Sequence, residues 1–222
     1  MSGTEREAAN ISRSDVLRAS PRMFDSRVLD LLSRVHPSVP LIIFVPAIVV
    51  LLVWALAYIN VLAVVGLLAG GYGLWTLFEY WLHRIIFHFE PQDGLGARMH
   101  WIIHGVHHEH PNDPLRLVMP PAVSMPLGAL VLATLYEIFG AHPAAALGAG
   151  FFTGYLIYDM LHYYVHHFYP KGRLGRMLRE RHMRHHFQDD TRGFGISAPY
   201  WDEVFGTSPR PRPVEPPVRS KG

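Results

Sequence analysis

Four long apolar stretches divide the chain. The first, residues 41–59, has no charged side chain and is roughly 28 Å long as a helix, enough to cross the hydrocarbon core of a bilayer. The others cover residues 61–81, about 119–139 and about 144–164. Polar or turn-forming residues separate the first from the second and the third from the fourth. The pattern therefore predicts an all-α integral membrane protein whose four transmembrane helices form two hairpins.

Glycines in the second stretch indicate how the helices pack. Gly66, Gly70, Gly71 and Gly73 are spaced so that a neighbouring helix can approach the backbone closely. Half of the chain is hydrophobic, which is high for a soluble domain. Both observations favour helices packed inside a membrane.

The remaining segments are polar. Residues 1–20 predict a disordered polar arm without a signal peptide, and residues 208–222, rich in Pro and Arg, predict a disordered tail. Residues 21–207 are left as one membrane-embedded domain. Near its start, Val28, Leu31 and Leu32 recur at helical spacing, which predicts a short amphipathic helix in the membrane interface. The alternative is a surface helix packed on the domain.

Basic residues predict the orientation. All 20 Lys and Arg lie within residues 6–34, 84–116 or 171–221, and none lies at either hairpin turn. By the positive-inside rule, both termini and the 84–116 loop are expected in the cytoplasm. The formal net charge of only +2 gives no reason to expect a nucleic-acid partner.

Histidines supply the candidate chemistry. Of the 15 histidines, 12 fall in four runs beside the apolar stretches: HRIIFH (83–88), HWIIHGVHH (100–108), HYYVHH (162–167) and HMRHH (182–186). Imidazole is the commonest metal ligand, and the absence of cysteine excludes thiolate sites. All-imidazole ligation suits iron, zinc, copper or nickel, and the number of candidates exceeds the four ligands of structural zinc. We therefore expect a cytoplasmic helical cap that holds two metals with about five ligands each.

Spacing within the runs predicts which histidines share a face. Residues three and four apart on a helix are neighbours, so the pair His162 and His166 should converge, as should the members of each HxxHH run. His83 and His88 are five apart, or about 140° around an ideal helix. They should meet only if the helix ends between them; otherwise each serves a different metal.

Three carboxylates lie inside the apolar stretches, and two of them, unlike Glu137, lie close to a histidine run. Glu79 and Asp159 precede His83 and His162 by four and three residues, so they are candidates to orient those imidazoles. The alternative for any single histidine is a structural role, which we assign to His36, His100, His110 and His142. A metal transporter is disfavoured, because transporters place polar ligands near the bilayer midplane and these histidines lie at helix ends.

Several motifs together resemble the fatty acid hydroxylase superfamily, and in particular its fatty acid 2-hydroxylase branch. The similarity covers roughly residues 20–207 and rests on SPRMF, HGVHHEHPNDPLRLVMPP, YDMLHYYVHH and GFGISAPYWDEVFGT, beside the four histidine runs. The histidine runs alone also fit sterol desaturases and carotenoid hydroxylases, which remain the alternative activity. The DPLRLVMPP and WDEVFGT stretches favour the 2-hydroxylase branch.

The resemblance implies a ligand set and its surroundings. The implied ligands are His83, His88, His104, His107, His108, His162, His166, His182, His185 and His186. His100 and His167 are left out. Asp202, in the WDEVFGT stretch, is implied to hydrogen-bond a ligand imidazole. Arg116, Tyr200 and Trp201 are candidates to meet a lipid headgroup, with packing and capping as the alternative.

The implied reaction is hydroxylation at C2 of a fatty acyl chain, with O₂ as co-substrate and two metal ions. Iron is expected as the working metal, and zinc can substitute. The haem-binding HPGG of cytochrome b5-bearing relatives is absent from the sequence. We therefore expect a separate electron donor, either cytochrome b5-like or ferredoxin-type. The predominance of Arg over Lys favours a bacterial cytoplasmic membrane, with the endoplasmic reticulum as the eukaryotic equivalent.

Overall fold

The structure is a computed structural model that describes residues 12–210, and within that range every regular element is helical. The elements in order are α1 (Arg13–Arg18), α2 (Arg27–Leu32), α3 (Ser38–Tyr58), α4 (Val61–Trp81) with a π-helical continuation (Leu82–Phe87), α5 (Gly94–His100), a second π-helical segment (Trp101–Gly105), α6 (Val106–Glu109), α7 (Pro121–Phe139), α8 (Ala141–His167), α9 (Arg173–Phe187) and α10 (Tyr200–Val204).

Four of these helices are long and apolar enough to cross a membrane: α3, α4 with its continuation, α7 and α8. The prediction of four membrane helices is confirmed, with ends that differ by a few residues. Asn60 lies at the turn of the first hairpin as expected, and its side-chain oxygen accepts a hydrogen bond from Ala63 N–H at 2.9 Å, which caps α4. Since the four helices alternate in direction, the histidine runs meet at one end of the bundle.

Helix α8 is the centre of the bundle. In its most apolar 18-residue segment 72% of the residues are buried, against about a fifth in the corresponding segment of each other membrane helix. Helices α3, α4 and α7 all pack against α8. Close approach to α4 depends on glycine. A Cβ at Gly71 would collide with the Leu147 carbonyl, one at Gly150 with the Leu68 carbonyl, and one at Gly154 with Trp75. This interface fixes the height of α8 relative to α4.

The glycine prediction is correct only in part. Gly71 lies in the α4–α8 contact, whereas a Cβ at Gly66 or Gly73 would meet nothing within 4 Å. The prediction considered only the glycines of α4. The glycines Gly150 and Gly154 of α8 complete the contact, because close packing needs small residues on both helices.

The segment before α3 lies across the end of the bundle. Within the predicted polar arm, residues Arg13–Arg18 form a helix because Ser12 and Asp15 make a capping box; residues 1–11 and 211–222 lie outside the described range. In α2 the apolar residues Val28 and Leu31 are 66% and 60% exposed, which a membrane interface would cover. Val35 N–H then donates to the Leu115 carbonyl at 2.6 Å, which joins this segment to the loop before α7.

Candidate metal centre

His83 and His88 lie at the two ends of the π-helical turn that continues α4. The backbone N–H of His88 donates to the carbonyl of His83, an i to i+5 hydrogen bond of 3.1 Å. This wider turn brings the two imidazoles together, with ring centroids 5.0 Å apart. The pair therefore converges without the helix ending between its members, which the sequence argument had not considered.

Ten histidines form two groups, and within each group the candidate ligand atoms lie within 4.8 Å of one another. We call the groups site A and site B. Site A consists of His83, His88, His104, His108 and His185. Site B consists of His107, His162, His166, His182 and His186. These are the ten histidines predicted from the sequence, divided five and five.

The two HxxHH runs contribute to both sites. His104 and His108 face site A while His107 faces site B. In α9 the division is reversed, since His182 and His186 face site B and His185 faces site A. Members of each run were expected to point one way. They divide because neighbouring residues on a helix differ by about 100°, so the i, i+4 pair converges and the histidine between them turns towards the adjacent site.

The ring nitrogens face one another inside each site. In site A, the Nε2 atoms of His83 and His104 are 3.2 Å apart and those of His88 and His185 are 3.0 Å apart. In site B, Nε2 of His182 lies 2.7 Å from that of His166 and 3.1 Å from that of His186. The sites are adjacent, since the rings of His108 and His186 have centroids 4.3 Å apart.

The histidines of sites A and B that lie outside the membrane helices are held neutral, because the pKa of each is lowered. Burial and, to a smaller extent, the neighbouring imidazoles of His185 and His100 lower the pKa of His88 to about 3, and burial lowers the pKa of His185 to about 4. Burial likewise lowers the pKa of His182 and His186 well below the usual value. Neutral imidazole is the form that binds metal. Sites A and B, each a cluster of neutral nitrogen donors, therefore fit two metal ions.

The three carboxylates have different roles from those predicted. Both oxygens of Glu79 accept hydrogen bonds from Ser197, one from its N–H at 2.8 Å. Asp159 accepts from Met119 N–H at 3.2 Å and from the Tyr155 hydroxyl at 3.1 Å. Among the described residues, neither is bonded to an imidazole. Each instead fastens a loop to the bundle.

Asp202 is fully buried and bonded to backbone. Its oxygens accept from the N–H groups of Phe194 and Gly195 at 2.9 and 3.1 Å and from the Thr207 hydroxyl at 2.8 Å. Two imidazoles are bonded instead to backbone carbonyls of the same loop, since Nδ1–H of His83 donates to Phe194 and Nδ1–H of His185 donates to Arg192. Sequence reasoning missed these carbonyls, because every residue has one and only the loop's path shows where it points.

The three residues that were candidates to meet a lipid headgroup instead make packing and capping contacts within the protein. Arg116 donates to the Pro21 carbonyl and lies 3.1 Å from Asp30. Tyr200 and Trp201 both donate to the Thr76 hydroxyl of α4, at 2.9 and 3.2 Å. The five remaining histidines lie outside sites A and B: His36, His100, His110, His142 and His167.

The fold and the centre together define a class: a helical integral-membrane protein with a polyhistidine centre that can hold two metal ions. The family model described as fatty acid hydroxylase matches residues 68–207. The chain belongs to the fatty acid hydroxylase family, a family of oxidoreductases.

Curated relatives agree. The chain is 37% identical to a dihydroceramide fatty acyl 2-hydroxylase of Arabidopsis thaliana over 195 residues, which is 85% of this chain and 80% of the relative. It is 38% identical to the ceramide very long chain fatty acid hydroxylase of Saccharomyces cerevisiae and 39% identical to the fatty acid 2-hydroxylase of Homo sapiens. These alignments cover 69% and 64% of this chain but only 40% and 39% of the two relatives.

A solved structure is similar as well. Full-length Scs7p, in which only the hydroxylase domain is visible, superposes with a TM-score of 0.79 at 34% sequence identity. The match covers 85% of this chain and 72% of that chain. At this identity both the fold and the family are shared.

Proposed function

We propose that this protein hydroxylates C2 of a fatty acyl chain, using O₂ and two electrons at a di-iron centre formed by sites A and B. The observation that carries the proposal is an apolar cavity that ends at both sites. Its wall includes His104 of site A together with His107 and His162 of site B. The three relatives named above are all fatty acyl or ceramide hydroxylases, which supports an acyl substrate.

The cavity has the size and lining for an acyl chain. Its volume is about 560 Å³, within the usual range for ligand pockets. Apolar residues from α2, the end of α4 and the start of α7 line it, including Leu29, Ile86 and Val123. Leu29 and Val123 are each 50% exposed, so the wall is continuous with the lipid-facing surface. An acyl chain that enters from the bilayer would reach the histidines with one of its ends.

Polar groups also line the cavity. Asp159 and Tyr158 line it beside His162, and Arg116 lines it where the 113–119 loop meets α2. Arg116 is held by Asp30 at 3.1 Å, so its charge is neutralised within the wall. An acyl carbonyl placed among these groups would put C2 near the two sites, while the methyl end stays among apolar side chains.

The ten imidazoles would hold two iron ions, and reduced iron with O₂ would supply the oxidising power. The chain's contribution is to bind and orient. Buried histidines exclude water from the centre, and the cavity presents one carbon to it. Zinc binds the same nitrogen donors and would occupy the sites without supporting turnover.

We infer that the centre faces the cytoplasm, because the basic residues lie at the histidine end of the bundle. The proposed compartment is a bacterial cytoplasmic membrane. The electron donor proposed for this face is cytochrome b5-like or ferredoxin-type. Fusions of a reporter at the 140–143 turn and at the chain's ends test the orientation: the turn should report the opposite side from the ends.

Lipid analysis tests the proposed activity. Cells expressing the protein in air should accumulate 2-hydroxy acyl chains, and a His182→Ala variant should give none. His142→Ala is the matched control, since that histidine stacks on Tyr58 at the other end of the bundle. Its lipids should match those of the wild type. Identical lipids from wild type and His182→Ala, or changed isoprenoids with unchanged acyl chains, would contradict the proposal.

A further inference from the structure

Sites A and B differ in what holds the outer nitrogens of their imidazoles. In site A, Nδ1–H of His83 donates to the carbonyl of Phe194, and Nδ1–H of His185 donates to the carbonyl of Arg192, both at 2.8 Å. A carbonyl only accepts, so each ring carries its proton on Nδ1. Its Nε2 lone pair is then free to point into site A.

Site B lacks this support within the described residues 12–210. The Nδ1 atoms of His166, His182 and His186 are buried without a hydrogen-bond partner there. Their rings are placed by α8 and α9, regular helices whose i, i+4 spacing already makes the pairs converge. Loop carbonyls therefore orient His83 and His185 of site A but not His166, His182 and His186 of site B.

The two carbonyls flank a glycine in a special conformation. Gly193 has φ +84°, a left-handed conformation that L side chains rarely adopt. Its N–H donates to the Thr207 carbonyl at 2.9 Å, which closes the loop. A Cβ there would lie 2.9 Å from Pro209 Cγ and 3.5 Å from His185 Cβ. This turn lets the carbonyls of residues 192 and 194 reach two different histidines.

Asp202 fixes the direction of the second carbonyl. The N–H of Gly195 belongs to the same peptide unit as the carbonyl of Phe194, and in a trans peptide the two groups point in opposite directions. Asp202 accepts from that N–H at 3.1 Å on one side, so the carbonyl points away from Asp202, towards His83. The bond from Phe194 N–H at 2.9 Å fixes the preceding peptide unit as well.

We propose that Asp202 is a positioning residue for site A, acting through the Phe194 peptide on the imidazole of His83, and that site B does not depend on it. This inference rests on the proposed metal-binding role of the two sites. Partners that orient ligand histidines typically contribute about 10–100-fold to metal affinity. The loss of Asp202 should therefore weaken the binding of one of the two metal ions, the one in site A.

The test is zinc retention by the full-length protein purified in detergent and challenged with increasing chelator. Wild type should hold two zinc ions. Asp202→Asn keeps the shape of the side chain but cannot accept all three hydrogen bonds, so one zinc should be released at about 10–100-fold lower chelator activity while the other is unchanged. Glu203→Gln is the matched control, because Glu203 is the next residue and makes only an exposed contact with Arg181. It should retain both ions as in wild type.

Ligand variants assign the released metal. In a His185→Ala background, where site A has already lost a ligand, Asp202→Asn should change nothing further. In a His182→Ala background, the remaining ion is in site A, and Asp202→Asn should release it at the lower chelator activity. Wild-type retention by Asp202→Asn, or simultaneous release of both ions, would overturn the inference.

A second variant keeps the test decisive if Asp202→Asn does not fold. Thr207→Val removes one of the three donors to Asp202 and should shift release of the same ion in the same direction by a smaller factor. No shift in a folded Thr207→Val would then overturn the inference. Failure of the proposed function looks different: wild type would hold no zinc, or would form no 2-hydroxy lipid when iron-loaded, whatever Asp202 does.

Discussion

Sites A and B each consist of five histidines but are built in different ways. Site B takes its two pairs from the regular helices α8 and α9 and adds His107. Site A takes one pair from a π-helical turn, one from the 104–108 run and one histidine from α9. Two of its rings, those of His83 and His185, are then oriented by carbonyls of the 192–194 loop, in which Phe194 is 111 residues from His83 in sequence. One site follows from helix periodicity, and the other depends on tertiary structure.

The difference matters for how each site can fail. His88 and His108 of site A are half-buried, whereas His186 is the only half-buried member of site B. Site B is anchored on the most buried helix of the bundle. Changes in the 192–207 loop should therefore disturb site A, and changes in the α8–α9 pairing should disturb site B.

The largest expected effect is the loss of a ligand. His108→Ala removes a nitrogen from site A and His186→Ala removes one from site B, although their rings are only 4.3 Å apart. Each should leave one metal ion per chain and reduce 2-hydroxylation by more than the roughly 10–100-fold typical of losing an orienting partner. Metal analysis and lipid analysis of the same preparations measure both quantities.

The control is His167→Ala, since that histidine adjoins His166 but belongs to neither site. It should keep two ions and most of the activity. Full activity in either ligand variant would show that one site is dispensable and would undo the comparison.

A smaller effect is expected from Gly193→Ala. The added Cβ would strain a backbone at φ +84° and press on Pro209, displacing the two carbonyls that orient His83 and His185. The metal affinity of site A should fall by roughly 10–100-fold while that of site B is unchanged, as measured by chelator competition. Gly206→Ala imposes similar strain at φ +70° but meets nothing within 4 Å. If the two variants lose the same ion equally, strain in the loop rather than carbonyl placement is responsible.

Acid should destabilise the metal-free protein, because buried histidines of both sites have lowered pKa values. The pKa of His88 is about 3 and that of His185 about 4 in the folded chain, mainly because of burial, against about 6.5 when unfolded. Between these values the unfolded chain binds more protons, so this stability is fully present above about pH 6.5 and is lost as pH falls towards 4 and 3. The metal-free protein should melt at a lower temperature near pH 5.5 than near pH 7.5. Equal melting temperatures would contradict buried, neutral imidazoles.

The smallest effect is expected at Glu79. Glu79→Gln keeps one acceptor for Ser197 and loses the other, which should cost about 1–2 kcal/mol of stability. Both metal ions should be retained with wild-type affinity, in contrast to Asp202→Asn. A thermal melt and chelator competition on one sample separate the two quantities. Selective loss of one ion would show that Glu79 also positions a ligand.

Much of the fold is readable from the sequence because apolar length and hairpin turns are local properties. The expected stretch 41–59 became Ser38–Tyr58, and 144–164 became Ala141–His167. Eight of the ten candidate ligands could also be predicted from imidazoles at i, i+3 and i+4 spacing, and the family resemblance added His83 and His88, which are five apart. Their division five and five was expected, but the membership of each site was not.

What the sequence concealed depends on backbone geometry. The π-helical turn at His83–His88 replaces i to i+4 hydrogen bonds by an i to i+5 bond, and no residue type marks that change. Glu79 and Asp159 share helix faces with His83 and His162, yet their oxygens bond to Ser197, Met119 and Tyr155. Shared faces predict proximity, but the partner is decided by which loop packs there.

The most direct test of the account is an oxygen-isotope experiment on the iron-loaded protein in membranes, with reductant, an electron donor and a fatty acyl lipid. Under ¹⁸O₂ the wild type should form acyl chains that carry ¹⁸O in a hydroxyl at C2, and His182→Ala should form none. Hydroxyl groups bearing only ¹⁶O, hydroxylation at another carbon, or unchanged acyl chains would contradict O₂-dependent 2-hydroxylation.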